Sequence, residues 1–277
     1  MLERVTLLEM LGAMSVSNSP HAIVRLANLS DLEAILAIET VGWPVGDGMR
    51  AEAAKFATRI ACGFVSVACD SENSVLGIFT AFRPKWARAE RLDALLQSCP
   101  NEIFDQSADE RWPSLCRHYG LSGNWHEATA EGTIHQGAMH DPGGDVLYGV
   151  GLAVRPECKG RGVARFLLQS TLEDAARTGA RYFLGYGRLP MFHLFPHTNV
   201  DAYLRLTQRA DDGLQPLDPQ VRFYWSLGAR PIRSVDGRYR YVGIPGSMRE
   251  DPESLEHGLL IVAPMCAKPF PMERLSR

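Results

Sequence analysis

The sequence predicts an α/β domain in which short apolar strands alternate with amphipathic helices. Two observations carry this. Apolar runs of strand length occur at Ile23–Ala27, Phe64–Ala68, Val75–Ala81, Val146–Val154, Ala180–Tyr186 and Leu259–Ala263, separated by polar or helix-patterned stretches. The run at Val146–Val154 also leads through a glycine-rich basic turn into a helical pattern that starts near Gly162, a strand–turn–helix unit typical of α/β domains.

Residues 1–19 read as an N-terminal extension. It is apolar in part, but Glu3 and Glu9 interrupt it and no cleavage pattern of a secretory leader follows. Residues 20–277 read as a single domain. Ile23–Ala27 is its first strand. Ser30 and Glu33 have capping-box spacing, and Leu32, Ile35, Leu36 and Ile38 give the next helix an apolar face. Ala51–Cys62 is a second helix. Phe64–Ala68 and Val75–Ala81 are paired strands around an Asp70–Asn73 turn.

From about residue 83 to 144 strand character is absent, and Leu92, Leu95 and Leu96 predict one helix. A stretch this long without strands in a compact domain is usually functional or mobile. The fourth strand, Val146–Val154, and the turn come next. A helix over 162–178 then stops at Gly179, a C-cap residue. Ala180–Tyr186 is the fifth strand. Arg188–Pro219 is irregular, Phe223–Leu227 belongs to a short helix, and strands follow around Ile232, at Tyr239–Val242 and at Leu259–Ala263.

The 277 residues carry 29 Lys and Arg against 32 Asp and Glu, a net charge of −3. That balance argues against nucleic-acid binding, which needs a basic face. No apolar run approaches the roughly 20 residues that span a membrane. The six cysteines include no Cys-x-x-Cys pair, so buried free thiols and a cytoplasmic, reducing location are expected. No metal is expected: Pro196 separates His193 from His197 without a third ligand, and His135, His140 and Asp141 lie in a glycine-containing loop.

The most informative stretch is Val154–Ala164. Gly160 and Gly162 let the backbone turn tightly and approach a ligand. The free N–H groups of the following helical turn, with its dipole, favour an anion there. Lys159, Arg161 and Arg165 add positive charge. The spacing is neither Gly-x-Gly-x-x-Gly nor Gly-Lys-Ser/Thr, so it marks neither a dinucleotide fingerprint nor a P-loop.

This segment resembles the acyl-CoA-binding motif of the GNAT acyltransferase superfamily: a Gln, Arg or similar residue, Gly three positions on, and Gly or Ala two further. Lys159, Gly162 and Ala164 fill those positions, and the Lys departs only mildly, because backbone N–H is what the motif supplies. Phe223-Tyr224-Trp225-Ser226-Leu227-Gly228-Ala229 resembles the family's Phe-Tyr-x-x-x-Gly-Phe/Ala block. Ile23–Ala27 with Ser30–Glu33 resembles its start. The resemblance spans about residues 21–245. It implies a twisted mixed β-sheet flanked by helices on both faces, enlarged by the insertion between strands three and four. It implies that those fourth and fifth strands splay, so that Leu152, Ala153 and Val154 present an edge to pantetheine. Lys159, Gly160, Arg161, Gly162, Val163 and Ala164 would then hold the diphosphate of acetyl-CoA or another acyl-CoA.

The implied activity is transfer of an acyl group, most simply acetyl, to a small-molecule amine, with Tyr224 as the general acid for the departing thiolate. An amine with a pKa of about 10.4 must first lose a proton; Glu39, Glu131, His135, Asp145 and His193 are candidate bases, none singled out. A second reading stays open. Arg188–His193, Tyr203, Asp218-Pro219 and Arg222–Ala229 resemble the GNAT-like loading domains of polyketide synthases, which pass an acyl group to the phosphopantetheine thiol of an acyl carrier protein. Decarboxylating members use a Thr near the end of the fifth strand and a His in the Phe-Tyr block. Gly187 and Tyr224 stand there in this chain, which argues against decarboxylation. A thiol of pKa about 8.5 asks less of a base. Trp43, Arg188 and His193 are the expected substrate-side residues. A third reading is a CoA-binding domain without catalysis.

Overall fold

A computed structural model describes residues 22–42, 51–211, 213–248, 251–265 and 267–275. Along the chain run β1 (Ile23–Leu26), α1 (Leu32–Gly42), α2 (Ala53–Ala61), β2 (Val65–Cys69), β3 (Val75–Phe82), α3 (Ala89–Gln97), α4 (Asn101–Phe104), α5 (Ala108–Tyr119) and α6 (Trp125–Thr129). Then come β4 (Val146–Val154), α7 (Val163–Arg177), β5 (Tyr182–Gly187), α8 (Val200–Tyr203), β6 (Thr207–Ala210), β7 (Gly213–Pro216) and α9 (Pro219–Ser226). The last elements are β8 (Ile232–Arg233), β9 (Tyr239–Arg240), β10 (Gly243–Ile244) and β11 (Gly258–Pro264). The N-terminal extension and Trp43 lie outside the described residues.

Seven strands form one sheet in the order β1-β2-β3-β4-β5-β11-β10. Every pairing is antiparallel except β4 with β5. That exception follows from connectivity: α7 carries the chain back over the sheet, and a crossover helix joins parallel neighbours. On one face, Leu167 and Leu168 of α7 and Val221 of α9 pack with Phe79, Phe183 and Ile261. On the other, α1 and α2 cover β2 and β3 through Ile35, Ile38 and Phe56. The helices inserted between β3 and β4 cover the rest of that face, with Leu92, Leu95, Trp112, Leu115 and Trp125 packed against Tyr148, Tyr186 and Leu260. The expected mixed sheet with helices on both faces is present.

Several local expectations are corrected. The first helix is entered through a 3-10 turn at Leu29–Asp31, and its capping box is Asn28 with Asp31 rather than Ser30 with Glu33. Asp31 also takes a bidentate bond from Arg25, so the carboxylate is engaged from two sides. The insertion forms four helices where one was expected. α4 and α6 have four and five residues, too short to show a period, and Pro113 sits inside α5, where proline normally argues against helix. α9 begins at Pro219, four residues before the expected Phe223. Asp218 caps it, accepting from the N–H groups of Gln220 at 2.8 Å and Val221 at 3.1 Å, and proline is favoured at the first helical position. β8 and β9 form a separate hairpin, as do β6 and β7.

Candidate functional site

β4 and β5 run side by side only from Val146 and Tyr182 to Gly149 and Gly185. β4 then continues to Val154 and β5 to Gly187 without pairing to each other, so the strands part. The parting coincides with a register shift in the β3–β4 ladder: Ala81 faces Gly149 and Thr80 faces Gly151, leaving Val150 as an extra residue. Such a bulge bends the strand that carries it.

Parity of the ladder shows which backbone groups face the gap. Arg155 N–H donates to the Leu76 carbonyl at 2.9 Å, and antiparallel pairs alternate between bonded and non-bonded. Ala153 and Gly151, opposite Ile78 and Thr80, therefore turn their N–H and C=O toward β3. Leu152 and Val154 turn theirs toward the open side. An extended ligand finds a strand edge there, as the sequence predicts.

A cavity occupies the gap. Phe79, Leu152, Phe183 and Ile261 give it apolar walls, and Tyr224, Gln220 and Arg188 bring polar atoms. Small residues make the room. A Cβ on Gly149 would stand 2.8 Å from the Phe183 ring and one on Gly187 2.8 Å from Ile261, whereas one on Gly151 would meet nothing within 4 Å. Glycines inside strands often mark such close approaches, and Gly149, Gly151, Gly185 and Gly187 are the sequence signal of this one.

At the far end of the open edge lies the turn. Gly160 and Gly162 adopt φ of +76° and +79°, a region that only glycine enters freely. Gly162 is the N-cap of α7 and brings no capping side chain, so the first N–H groups of the helix stay available. Lys159, Gly160, Arg161 and Gly162 are exposed, Val163 is buried and Ala164 half-buried. Arg165 reaches across to Ser226 Oγ at 2.5 Å, tying α7 to α9.

Tyr224 lines the cavity, half-buried, with its ring stacked on Phe183 at 6.2 Å and 24°. Burial pushes its phenol up to about 12, so it remains protonated at neutral pH. Gln220, one turn earlier on the same face, also lines the cavity, and its Oε1 is buried without a partner.

Arg188 lines the cavity too, but its guanidinium forks onto Asp251 at 2.6 and 2.7 Å and reaches Glu253 at 3.0 Å. Burial alone would raise the Asp251 carboxyl; bonds from Arg188 and Ser254 overcome that and hold it below its usual value. His193 is exposed, bonded through its backbone N–H to the Glu253 carbonyl at 3.0 Å, and is not part of the cavity wall. None of the candidate bases lines the cavity either. Glu39 Oε1 accepts from Ala51 N–H and Asp145 Oδ1 from Ala89 N–H. Glu131 is held to His126 Nδ1 at 2.7 Å, and His135 is exposed. Among the described residues no cluster of His, Cys, Asp or Glu is placed to hold a metal. No described helix is long and apolar enough to cross a membrane.

Comparison with known proteins follows this geometry. The family model described as Acetyltransferase (GNAT) family matches residues 85–195, which include β4, the turn, α7 and β5. The loading GNATL domain of CurA from Lyngbya majuscula superimposes with a TM-score of 0.58, at 16% identity, over 88% of this chain and 98% of that one. This is the GNAT fold. The GphF GNAT-like decarboxylase, solved with isobutyryl-CoA, shares the GNAT fold with the same TM-score, 22% identity, and coverage of 88% and 99%. Among curated proteins, the uncharacterized N-acetyltransferase YkwB of Bacillus subtilis is 28% identical over 139 residues, 50% of this chain and 54% of that relative. The match thus spans about half the length of that relative.

Proposed function

We propose that this GNAT-fold protein is an acyl-CoA-dependent acyltransferase. One observation carries the reading: an open β4 edge runs from an uncapped, exposed, basic helix N-terminus to a cavity lined by a protonated phenol. The diphosphate of CoA would bind the N–H groups of Gly160 and of Gly162 to Ala164, with the Lys159 and Arg161 side chains alongside; the Arg161 N–H is already given to the Cys158 carbonyl at 3.2 Å. The pantetheine amides would pair with Leu152 and Val154 as an added strand. The thioester would then lie at the parting of β4 and β5, within reach of Tyr224.

The simplest acceptor is a small amine receiving acetyl. A second acceptor, the phosphopantetheine thiol of a carrier protein, is favoured by one feature: among the described residues, the cavity wall has no carboxylate or imidazole to deprotonate an ammonium group. A thiol ionises near pH 8.5 and needs less help. Release of free thiol from acetyl-, propionyl- and malonyl-CoA, measured with amine panels and with phosphopantetheinylated carrier protein and checked by intact-protein mass, decides between them. CoA binding without turnover on any acceptor would leave a binding domain only.

The diphosphate site has its own test. Gly162→Val puts a β-branched residue at φ +79°, a strain of about 1–2 kcal/mol that tilts the N–H groups away. Calorimetry should show CoA affinity weakened at least about tenfold, with binding of pantetheine, which lacks the diphosphate, unchanged. Equal losses for both ligands would move the diphosphate elsewhere.

A further inference from the structure

Inserted residues are hydrogen-bonded to both strands where the cavity opens. Beyond the last paired residues, Gly149 and Gly185, the next residue of each strand is bonded to the same short inserted segment. Trp125 Nε1 donates to the Val150 carbonyl at 2.9 Å, and Tyr186 OH donates to the Ser122 carbonyl at 2.6 Å. Trp112 stands edge-on to Tyr186 at 5.5 Å and 88°, and its indole donates to the Gly123 carbonyl. The accepting loop is therefore itself fixed. Trp125 and Tyr186 are 4% and 6% exposed, so water does not compete for these bonds. Val150 is the bulged residue, and both Val150 and Tyr186 line the cavity.

We infer that the segment Ser122–Trp125 is a wedge that holds β4 and β5 apart and sets the width of the acyl cavity. Gly151 N–H faces β3, so the Val150 carbonyl across the same peptide faces the gap. In an uninterrupted sheet β5 would satisfy that carbonyl; here an indole does, and the ladder cannot zip past Gly149. The insertion thus acts as an internal spacer. Chain width at the acyl group becomes its selectivity: a narrower gap still admits acetyl and rejects longer chains. Trp125 and Tyr186 are positioning residues in this scheme, acting through the backbone of β4 and the side of β5.

The inference rests on the acyl-CoA reading, and the experiment separates the two. Trp125→Phe and Tyr186→Phe each keep the ring and remove one donor, on opposite strands, so either variant suffices if the other does not fold. Calorimetry with CoA, acetyl-CoA and butyryl-CoA is the readout. CoA affinity should stay within about twofold, and the butyryl-to-acetyl affinity ratio should fall about fivefold to tenfold, the worth of one buried neutral hydrogen bond. A merely structural role would lower the melting temperature and leave that ratio alone. Folded variants with the wild-type ratio overturn the wedge while the acyl-CoA reading stands. A wild-type protein that binds no CoA overturns both.

Discussion

Replacing Tyr224 by Phe is expected to lower kcat for acyl transfer by about 10²–10⁴-fold, the usual worth of a positioned acid, with little change in KM for acyl-CoA. The substituted ring would keep the stack on Phe183, so only the hydroxyl is lost. Burial holds that hydroxyl at about 12, whereas a free thiol ionises near 8.5. Complete proton transfer to the thiolate is therefore uphill by about 3–4 units, or about 5 kcal/mol. The phenol acts instead as a hydrogen-bond donor to sulfur as its charge develops, and solvent completes the protonation. Such a bond is made in the transition state and not to the ground-state thioester, which is why kcat falls and KM does not. The pH profile follows in sign: the protonated form is active, and raising its pKa extends the active range upward. Wild-type kcat should show no loss from this group up to pH 10. Steady-state thiol release from pH 6 to 10, for both proteins, tests the assignment; equal kcat would take Tyr224 out of the mechanism.

The part of the site that was legible in the sequence is local in sequence. β4 and α7 fall within a residue of expectation because strand, turn and helix signals adjoin: an apolar run, two glycines at positive φ, then an apolar helical period closed by Gly179. The turn proposed to hold the diphosphate is the same stretch of backbone, so the same signals mark it. The cavity was hidden for the opposite reason. It is made where β4 leaves β5, and its walls come from β3, β4, β5, α9 and β11. Trp125 has no local signal of its role, because the carbonyl it serves is 25 residues away. The two-residue strand β10 exists through its pairing with β11, with too few residues to carry a period. Arg188 lines the cavity, and the fold brings Asp251 and Glu253 to its guanidinium; nothing local in the sequence announces those partners.

Alkaline pH should unfold the protein steeply, for reasons visible in its aromatic core. Tyr148, Tyr186 and Tyr241 are 0%, 6% and 3% exposed, and burial drives all three phenols well above the usual value. The hydroxyls of Tyr148 and Tyr241 have no hydrogen-bond partner among the described residues, so nothing stands ready to stabilise a phenolate. The folded state keeps these protons, while the unfolded chain gives them up near pH 10. Their contribution to stability is thus fully present below about pH 10 and is lost as pH rises above it. Each such group changes stability by about 1.4 kcal/mol per pH unit, so the three together cost about 4 kcal/mol per unit. Against a typical domain stability of about 5–15 kcal/mol, that removes the fold within a few units. Circular dichroism and tyrosinate absorbance followed together from pH 9 to 13 should show most of the 8 tyrosines ionising in one step with the loss of structure. Tyr148→Phe should lower the slope by about 1.4 kcal/mol per pH unit and move the midpoint upward. Gradual ionisation centred near pH 10 with the dichroism intact would mean that these rings are open to water, and that the inserted helices do not seal the face of the sheet they cover.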